Sequence, residues 1–500
     1  MKIIFRITSL ILVLLMLASL CGCSLPGIGD GTSAKTEKGS TSPAITVIED
    51  TTEDIYYVVC PMPDDPNYNG EKVGVITWAD APYAEFFSFE SEGEKDIVEQ
   101  EIYNRKIRTE ERLGVDLALV EKNGTGTSEA EWISYVTNCV KANTDDIDII
   151  AGVSYAVGKC ALQGLLFNML DSSCDYLDFK KPYWSESFVT DARIGNKLYF
   201  ATGDISLNLI ESMFVCYAND ALIKGYGLPD PAKLALDGKW TFEQLITMST
   251  GIYTESEKIY GFATRGKTAD PWFYASGARY CELDGDGNIT ASPSFSGDKV
   301  TETVRLLTDF FNNSDVRFPA KSSSEITETF ASGHSLFVFD DYAESHTSFS
   351  ESGVDFSILP IPKYNEEQER YYTIPDNSYT LYAITANAES PARASAILES
   401  LASNSYRSVT PAVYLRTMKL GNFTDDADSL TIYDLLRETL VYDHGRLFAD
   451  ELIGQSVFRN AAGNNADWQD FIGSQTVNRY LKTLENNAAS LNSIFKTNTN

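Results

Sequence analysis

Histidine is scarce in this chain: His334, His346 and His444 are the only three in 500 residues, and no HExxH pair exists. GxSxG, P-loop and GxGxxG patterns are missing too, which removes the common metallopeptidase, hydrolase and nucleotide-binding signatures. Basic residues are few. Forty Lys and Arg face 71 Asp and Glu, for a net charge of −31. Phosphate would be repelled by such a surface, which excludes nucleic acid and anionic lipid as partners. No CxxC or metal-ligand spacing occurs, and Cys60, Cys139, Cys160, Cys174, Cys216 and Cys281 are widely scattered. They read as buried small hydrophobes. Asp284-Gly-Asp-Gly-Asn288 approaches a calcium loop, but Ile289 replaces the required Gly and Phe295 the bidentate Glu. A hairpin turn fits better. No metal or cofactor is expected.

What the chain has in quantity is apolar and aromatic side chains, 43% and 12%. That is ample for large cores and rules out a disordered chain. Length alone allows two to four domains. At the start, Lys2 and Arg6 precede an apolar stretch, Ile7 to Leu20, too short to span a bilayer comfortably. Leu20-Cys21-Gly22-Cys23 then fits the bacterial lipoprotein cleavage pattern, with a small residue directly before Cys23. Cys21 fails that test because Leu20 would occupy the small-residue slot. Residues 1–22 are therefore expected to be a signal peptide whose removal leaves −33. Cys23 is expected to carry the lipid that tethers the chain outside the cytoplasmic membrane. Residues 24–45 are rich in Gly, Ser, Thr and Pro and read as a flexible stalk, and 46–70 as a transition.

From about Glu71 short apolar runs alternate with amphipathic helical patterns. Strands are expected at Val73 to Thr77, Asp146 to Ile150, Leu198 to Ala201, Ser335 to Phe339, Phe356 to Leu359 and Leu381 to Thr385. Helices are expected over Asp96 to Arg112, after Thr241 with its capping-box Gln244, along Val300 to Phe311, and from Ser390-Pro391. This alternation argues an α/β architecture with mostly parallel sheets. The stretch from about Thr431 is helical and polar-rich.

Several segments in this order resemble a family. Phe330-Ala-Ser-Gly333 before SLFVFDD, the FSILPIPKY run (Phe356 to Tyr364), and YAITANAESPARASAILESLAS (Tyr382 to Ser403) resemble family 1 extracellular solute-binding proteins. NKLYFATGDISL (Asn196 to Leu207) and DGKWTFEQL (Asp237 to Leu245) are similar to that family's first crossover and Trp-Thr helix start. The chain departs from the pattern at Tyr217-Ala-Asn-Asp220, where Phe-Asn-Lys is common, and at His334, where Lys is common. The resemblance covers nearly all of the body and is strongest to the carbohydrate-type lipoprotein receptors of bacterial ABC importers.

It implies a type II periplasmic-binding-protein-like fold of two hinged α/β lobes. Lobe one would comprise 71–203 plus 377–420, and lobe two 204–376 plus 421–500. The implied partners are a small solute, a carbohydrate above all, and the transmembrane subunits of an ABC permease. The membrane would be reached through the lipid anchor only, and the protein would be a monomer and not an enzyme. A sugar site needs aromatic platforms and a few polar groups, placed where cleft loops lie at strand carboxyl ends. Trp78 and Asp80 follow the first strand, Ser154 and Tyr155 follow DIDIIAGV, Asp341 and Tyr342 follow SLFVF, and Tyr379 lies near the second crossover. Trp272, Phe273 and Tyr274, with Arg279 nearby, add an aromatic cluster. For each aromatic, burial in a lobe core is the alternative. Trp240 and His444 read as structural. Peptide binding in the same fold, a glycan-acting enzyme using paired carboxylates such as Asp340 and Asp341, and a signalling co-receptor stand as alternative functions.

Overall fold

The computed structural model describes residues 56, 58, 60, 62, 66–86, 96–254, 256–264, 266–313, 316–319, 322–420, 427–452, 456–463 and 475–497. The expected signal peptide, Cys23, the stalk and most of the transition lie outside the described residues.

The run EKVGVITW forms β1 (Glu71–Trp78), and its last six residues are buried. Strand β1 lies between β2 (Val115–Lys122) and β3 (Ile149–Val153), parallel to both, with Val73 opposite Leu117 and Val75 opposite Ile149. Strand β11 (Thr380–Ile384) closes this sheet antiparallel to β3, in the order β11-β3-β1-β2. Four helices cover it. Helix α1 (Ile97–Leu113) starts on Asp96, whose side chain accepts from the Glu99 amide in a full capping box. It buries Val98, Ile102 and Leu113. Helices α2 (Glu129–Ala142) and α3 (Ser154–Leu162) flank β3, and α4 (Pro391–Asn404) begins at the Ser390 cap with Pro391 in its first turn. Strand alternation puts Gly152 and Tyr382 on opposite faces. Accordingly Trp132 of α2 packs over Gly152, where a Cβ would sit 2.6 Å from the indole.

The second sheet runs β10-β4-β9-β5-β8, built from β4 (Phe214–Asn219), β5 (Tyr260–Thr264), β8 (Arg317–Pro319), β9 (Ser335–Asp341) and β10 (Phe356–Leu359). Strands β9, β5 and β8 are parallel, whereas β4 runs antiparallel to both β9 and β10. A separate hairpin, β6 (Cys281–Leu283) with β7 (Ile289–Ala291), places the Asp284–Asn288 stretch in its turn. Helices α5 (Asp270–Ala275), α6 (Asp298–Asn312) and α7 (Ala427–Glu438) belong to this half.

The sheets are thus mixed, where mostly parallel ones are expected from the sequence. The reason is topological. Strands β4 and β11 each follow a crossover from the other half, so they enter their new sheet from the end at which its own strands finish. Two neighbouring segments make these crossovers. Leu198–Ala201 contributes one bridge, Ala201 to Tyr382, instead of the expected strand, and Met213 then bridges to Pro375. At DIDII the strand begins only at Ile149; the Asp148 amide still donates to the Gly74 carbonyl (2.9 Å) and its carbonyl accepts from the Thr385 amide (2.9 Å), while its carboxylate is held by Arg393 of α4 at 3.0 Å. The two halves are the two lobes of the fold, and both belong to one compact unit, Asp54–Asn500.

Two strand glycines are required by close approach. A Cβ on Gly74 of β1 would lie 1.9 Å from the Asp146 carbonyl oxygen, and one on Gly261 of β5 2.1 Å from that of Ser249. Backbone cannot retreat cheaply within a packed sheet. Gly74→Ala is expected to destabilise the chain by about 3 kcal/mol or more, at the upper end of overpacking costs, read as a lower midpoint in denaturant unfolding.

Glu399, on α4, is wholly buried and accepts from the Tyr183 hydroxyl, the Trp184 indole (2.9 Å) and the Asp178 amide (3.2 Å). Burial outweighs those hydrogen bonds and pushes its pKa up to about 7. The folded state therefore holds this proton more tightly than the unfolded chain does, so Glu399 lowers stability as pH rises from about 4.5 to about 7. Glu399→Gln removes that dependence. The stability difference between variant and wild type is expected to grow in the variant's favour across this window, by about 3 kcal/mol at most. A difference that stays flat with pH would show that Glu399 is ionised throughout.

Candidate functional site

The carboxyl ends of β1 and β3 face the crossovers, and one polar cluster gathers there from both lobes. Ser154, first residue of α3, donates its hydroxyl to the Asn377 carbonyl and its amide to that of Tyr379 (2.9 Å). Asn377 Nδ2 donates to the Arg446 carbonyl (3.2 Å). The Arg446 guanidinium reaches the Pro375 carbonyl (2.9 Å), Asp270 (3.2 Å) and Asp376 (3.8 Å). Arg459 also donates to Asp270, through Nε at 2.5 Å and through Nη2. Burial opposes the charge on Arg446, but Asp270 and its neighbours outweigh it and hold the guanidinium protonated. The Asn377 Oδ1 is buried without a partner, an acceptor open to an incoming donor.

Asp80 sits at the lobe-one rim of this region. Its carboxylate accepts from the Gly124 amide (2.6 Å), the Thr125 amide (3.1 Å) and the Thr125 hydroxyl. Burial acts to raise its pKa, but these bonds prevail and leave it below the ordinary carboxylate value. Tyr155 is half-buried beside it, its phenol pushed up to about 12 by burial and by the nearby Glu129 and Asp80 charges. Lys159, one turn further along α3, bridges Glu129 (2.8 Å) to Asp450 (3.0 Å). Asp341 is half-buried at the end of β9, with its carbonyl accepting from Tyr217 (2.8 Å).

The remaining sequence-derived candidates are placed differently. Trp78 is 2% exposed and spends its indole N–H on Thr380 (3.0 Å). Trp272 is wholly buried among Phe242, Phe262, Phe310 and Phe339, with ring centroids 4.8 to 6.1 Å away. Phe273 packs on Tyr280 (4.7 Å) and Phe458 (5.1 Å). Tyr274 is buried 5.8 Å from Arg446, and Tyr342 is buried 5.6 Å from Tyr433. Tyr379 is buried as well, although its carbonyl joins the Ser154 cluster. Six of the eleven ligand candidates thus present no open aromatic face here, since apolar area is better removed from water by ring-on-ring packing. Arg279 donates to the Ala278 (2.7 Å) and Tyr274 (3.3 Å) carbonyls and lies over Tyr372, 5.6 Å from the Tyr274 ring that Arg446 also faces. His444 is structural, stacked on Phe448 and pushed down to about 3 by burial.

Asp270, Asn377, Arg446 and Arg459 carry no motif, and the sequence reading passes over them. A second place it passes over is a cavity of about 980 Å³ on the crossover flank, walled by Phe179, Trp184, Tyr406 and Arg437, with Lys180, Lys181 and Glu186 among its lining residues. The density of aromatic and basic residues in DFKKPYW (178–184) is the signal that could have marked it. Arg437 is itself committed there, bidentate to Asp204 at 2.6 and 2.8 Å.

Removing Arg446 leaves Asp270 buried with Arg459 alone and strips the Pro375 carbonyl of its donor. Arg446→Met is expected to cost about 3 to 5 kcal/mol, the range for breaking a buried ion pair from one side, measured by thermal or denaturant unfolding. A loss below about 1 kcal/mol would show the pair to be solvent-screened.

No family model and no curated protein matches this sequence. Solved structures do match in fold. A cyclo/maltodextrin-binding protein complexed with maltotetraose is 13% identical, with a TM-score of 0.53 over 86% of this chain and 97% of that one. The galacto-N-biose-/lacto-N-biose I-binding protein of an ABC transporter from Bifidobacterium longum, in complex with lacto-N-biose, is 12% identical, with a TM-score of 0.51 over 86% and 98%. Both are binding proteins. The chain has the α/β, two-lobed, periplasmic-binding-protein-like fold of these sugar-binding proteins.

Proposed function

We propose that this chain is a non-enzymatic carbohydrate receptor of a bacterial ABC importer, a member of the family 1 solute-binding proteins held outside the cytoplasmic membrane by lipid on Cys23. The observation that carries the reading is the convergence of lobe one, the second crossover and lobe two on one polar cluster, Ser154, Asn377, Arg446 and Asp270. A solute seated there touches both lobes only when they are closed, so its binding energy selects the closed state. The closed lobes would form the surface that a permease reads, and delivery would follow reopening. Tyr155, Asp80, Asp341 and the free acceptor of Asn377 are the side chains proposed to meet sugar hydroxyls.

One observation favours a second placement of the same solute: the 980 Å³ flank cavity already has the size and aromatic walls of a saccharide site.

A thermal-shift screen against mono- and oligosaccharides, peptides and amino acids tests the function. A ligand at a hundredfold excess over Kd is expected to add about 2.7 kcal/mol of stability. A shift with an oligosaccharide recovered intact supports the receptor. Cleaved sugar would make the chain an enzyme, and a shift with peptides alone would overturn the carbohydrate reading. Loss of the sugar shift in Tyr155→Ala places the solute between the strand ends, whereas loss in Phe179→Ala places it in the flank cavity.

A further inference from the structure

Within lobe two, a cavity of about 410 Å³ opens between the amino end of α6 and the segment that precedes the second crossover. Gly277, Ala278, Gly297, Lys299, Gln368 and Tyr372 are among its lining residues, and none belongs to the strand-end cluster. Gln368 is 9% exposed. Its Nε2 donates to the Ala275 carbonyl (3.0 Å) and to the Arg370 carbonyl (2.8 Å), which sets the orientation of the amide. Its Oε1 has no hydrogen-bond partner. A buried amide oxygen left this way is unusual in a folded chain.

Across the same cavity lies the start of a 15-residue helix. Its N-cap is Gly297, which supplies no side-chain cap. The Val300 and Thr301 amides turn back to the Gly297 carbonyl at 3.2 and 3.3 Å. The Asp298 and Lys299 amides have no such partner among the described residues, and they point their dipoles out of the helix end. The wall opposite is held in place. Tyr372 is flanked by Arg279 (4.9 Å) and Arg370 (5.6 Å). Gly277 lies beside the Tyr372 ring at φ +85°, a left-handed backbone that favours glycine.

We infer that this cavity is a second binding site, one that takes a single saccharide ring or a similar neutral polyol. It offers one buried acceptor and two backbone donors. A fully deprotonated anion such as sulfate can use the amides but has no proton for Gln368 Oε1, and the Asp298 carboxylate in the first turn offsets the attraction of Lys299 beside it. A pair of neighbouring hydroxyls satisfies all three groups, because each hydroxyl both donates and accepts. Every lining residue belongs to lobe two, so occupancy is independent of lobe closure. The site therefore stands apart from the receptor reading above.

The test titrates the intact protein with glucose, galactose, mannose, myo-inositol and inorganic phosphate, read by saturation-transfer NMR. At least one neutral probe is expected to bind. Gln368→Met removes the acceptor and is expected to weaken that binding about tenfold. Gly297→Ser is the decisive variant, because its hydroxyl caps α6 in place of the ligand: the melting temperature rises while affinity falls about tenfold. A merely structural role for Gly297 would not move these two in opposite senses. Binding lost in Tyr155→Ala but retained in Gly297→Ser would assign the probe to the strand-end cleft, overturning this inference and supporting the receptor. Binding of phosphate in place of the sugars, or of no probe at all, would also overturn it.

Discussion

The junction between the lobes depends on buried guanidinium groups that meet the crossovers. Arg105 donates to the Ile205 carbonyl (2.6 Å) and to Glu85 (3.2 Å). Arg416 reaches Glu211 and Asp96, and His346 approaches both Arg416 (3.0 Å) and Glu211 (2.8 Å). Arg437 grips Asp204, and Arg446 grips Asp270 and the Pro375 carbonyl. A crossover has neighbours on few sides, so its carbonyls lack the full ladder that a sheet interior supplies. A guanidinium provides several donors in a rigid fork, and an adjacent carboxylate offsets the cost of burying its charge.

That arrangement limits how the lobes can move. Each arginine binds groups from a crossover together with groups from one lobe, so rotation must pivot around these pairs without pulling them apart. Glu85 is the densest such node: besides Arg105 it accepts from the Ser206 hydroxyl, the Leu207 and Asn208 amides, the Asn208 side chain and Tyr382. On the proposed receptor reading, hinge motion would be confined to the short backbone between the nodes. The charge pairs also explain why a strongly acidic chain spends so many of its arginines indoors.

Much of this was legible from local pattern. The caps at Thr241 and Ser390 are visible because one polar side chain meets amides a few residues away, whereas Asp96, expected inside its helix, is the cap. The apolar runs at β1, β9, β10 and β11 are visible because a strand buried on both faces has little room for polar residues. Strand direction was not visible, since nothing in β4 or β11 marks the end from which it enters its sheet. The aromatic site candidates misled for a related reason. Trp272 suits either a sugar platform or a core, and only its neighbours Phe242, Phe262, Phe310 and Phe339 settle which.

By itself, then, the order of residues determined the alternation of strands and helices, the helix starts and the resemblance to two-lobed receptors, because these rest on contacts within a dozen positions of one another. The tertiary structure alone decided which side chains share a site. Ser154 and Asn377 are 223 positions apart, and Arg446 and Asp270 are 176 apart. Their meeting depends on two crossings between the lobes, and no local preference encodes which distant carboxylate a buried arginine will find.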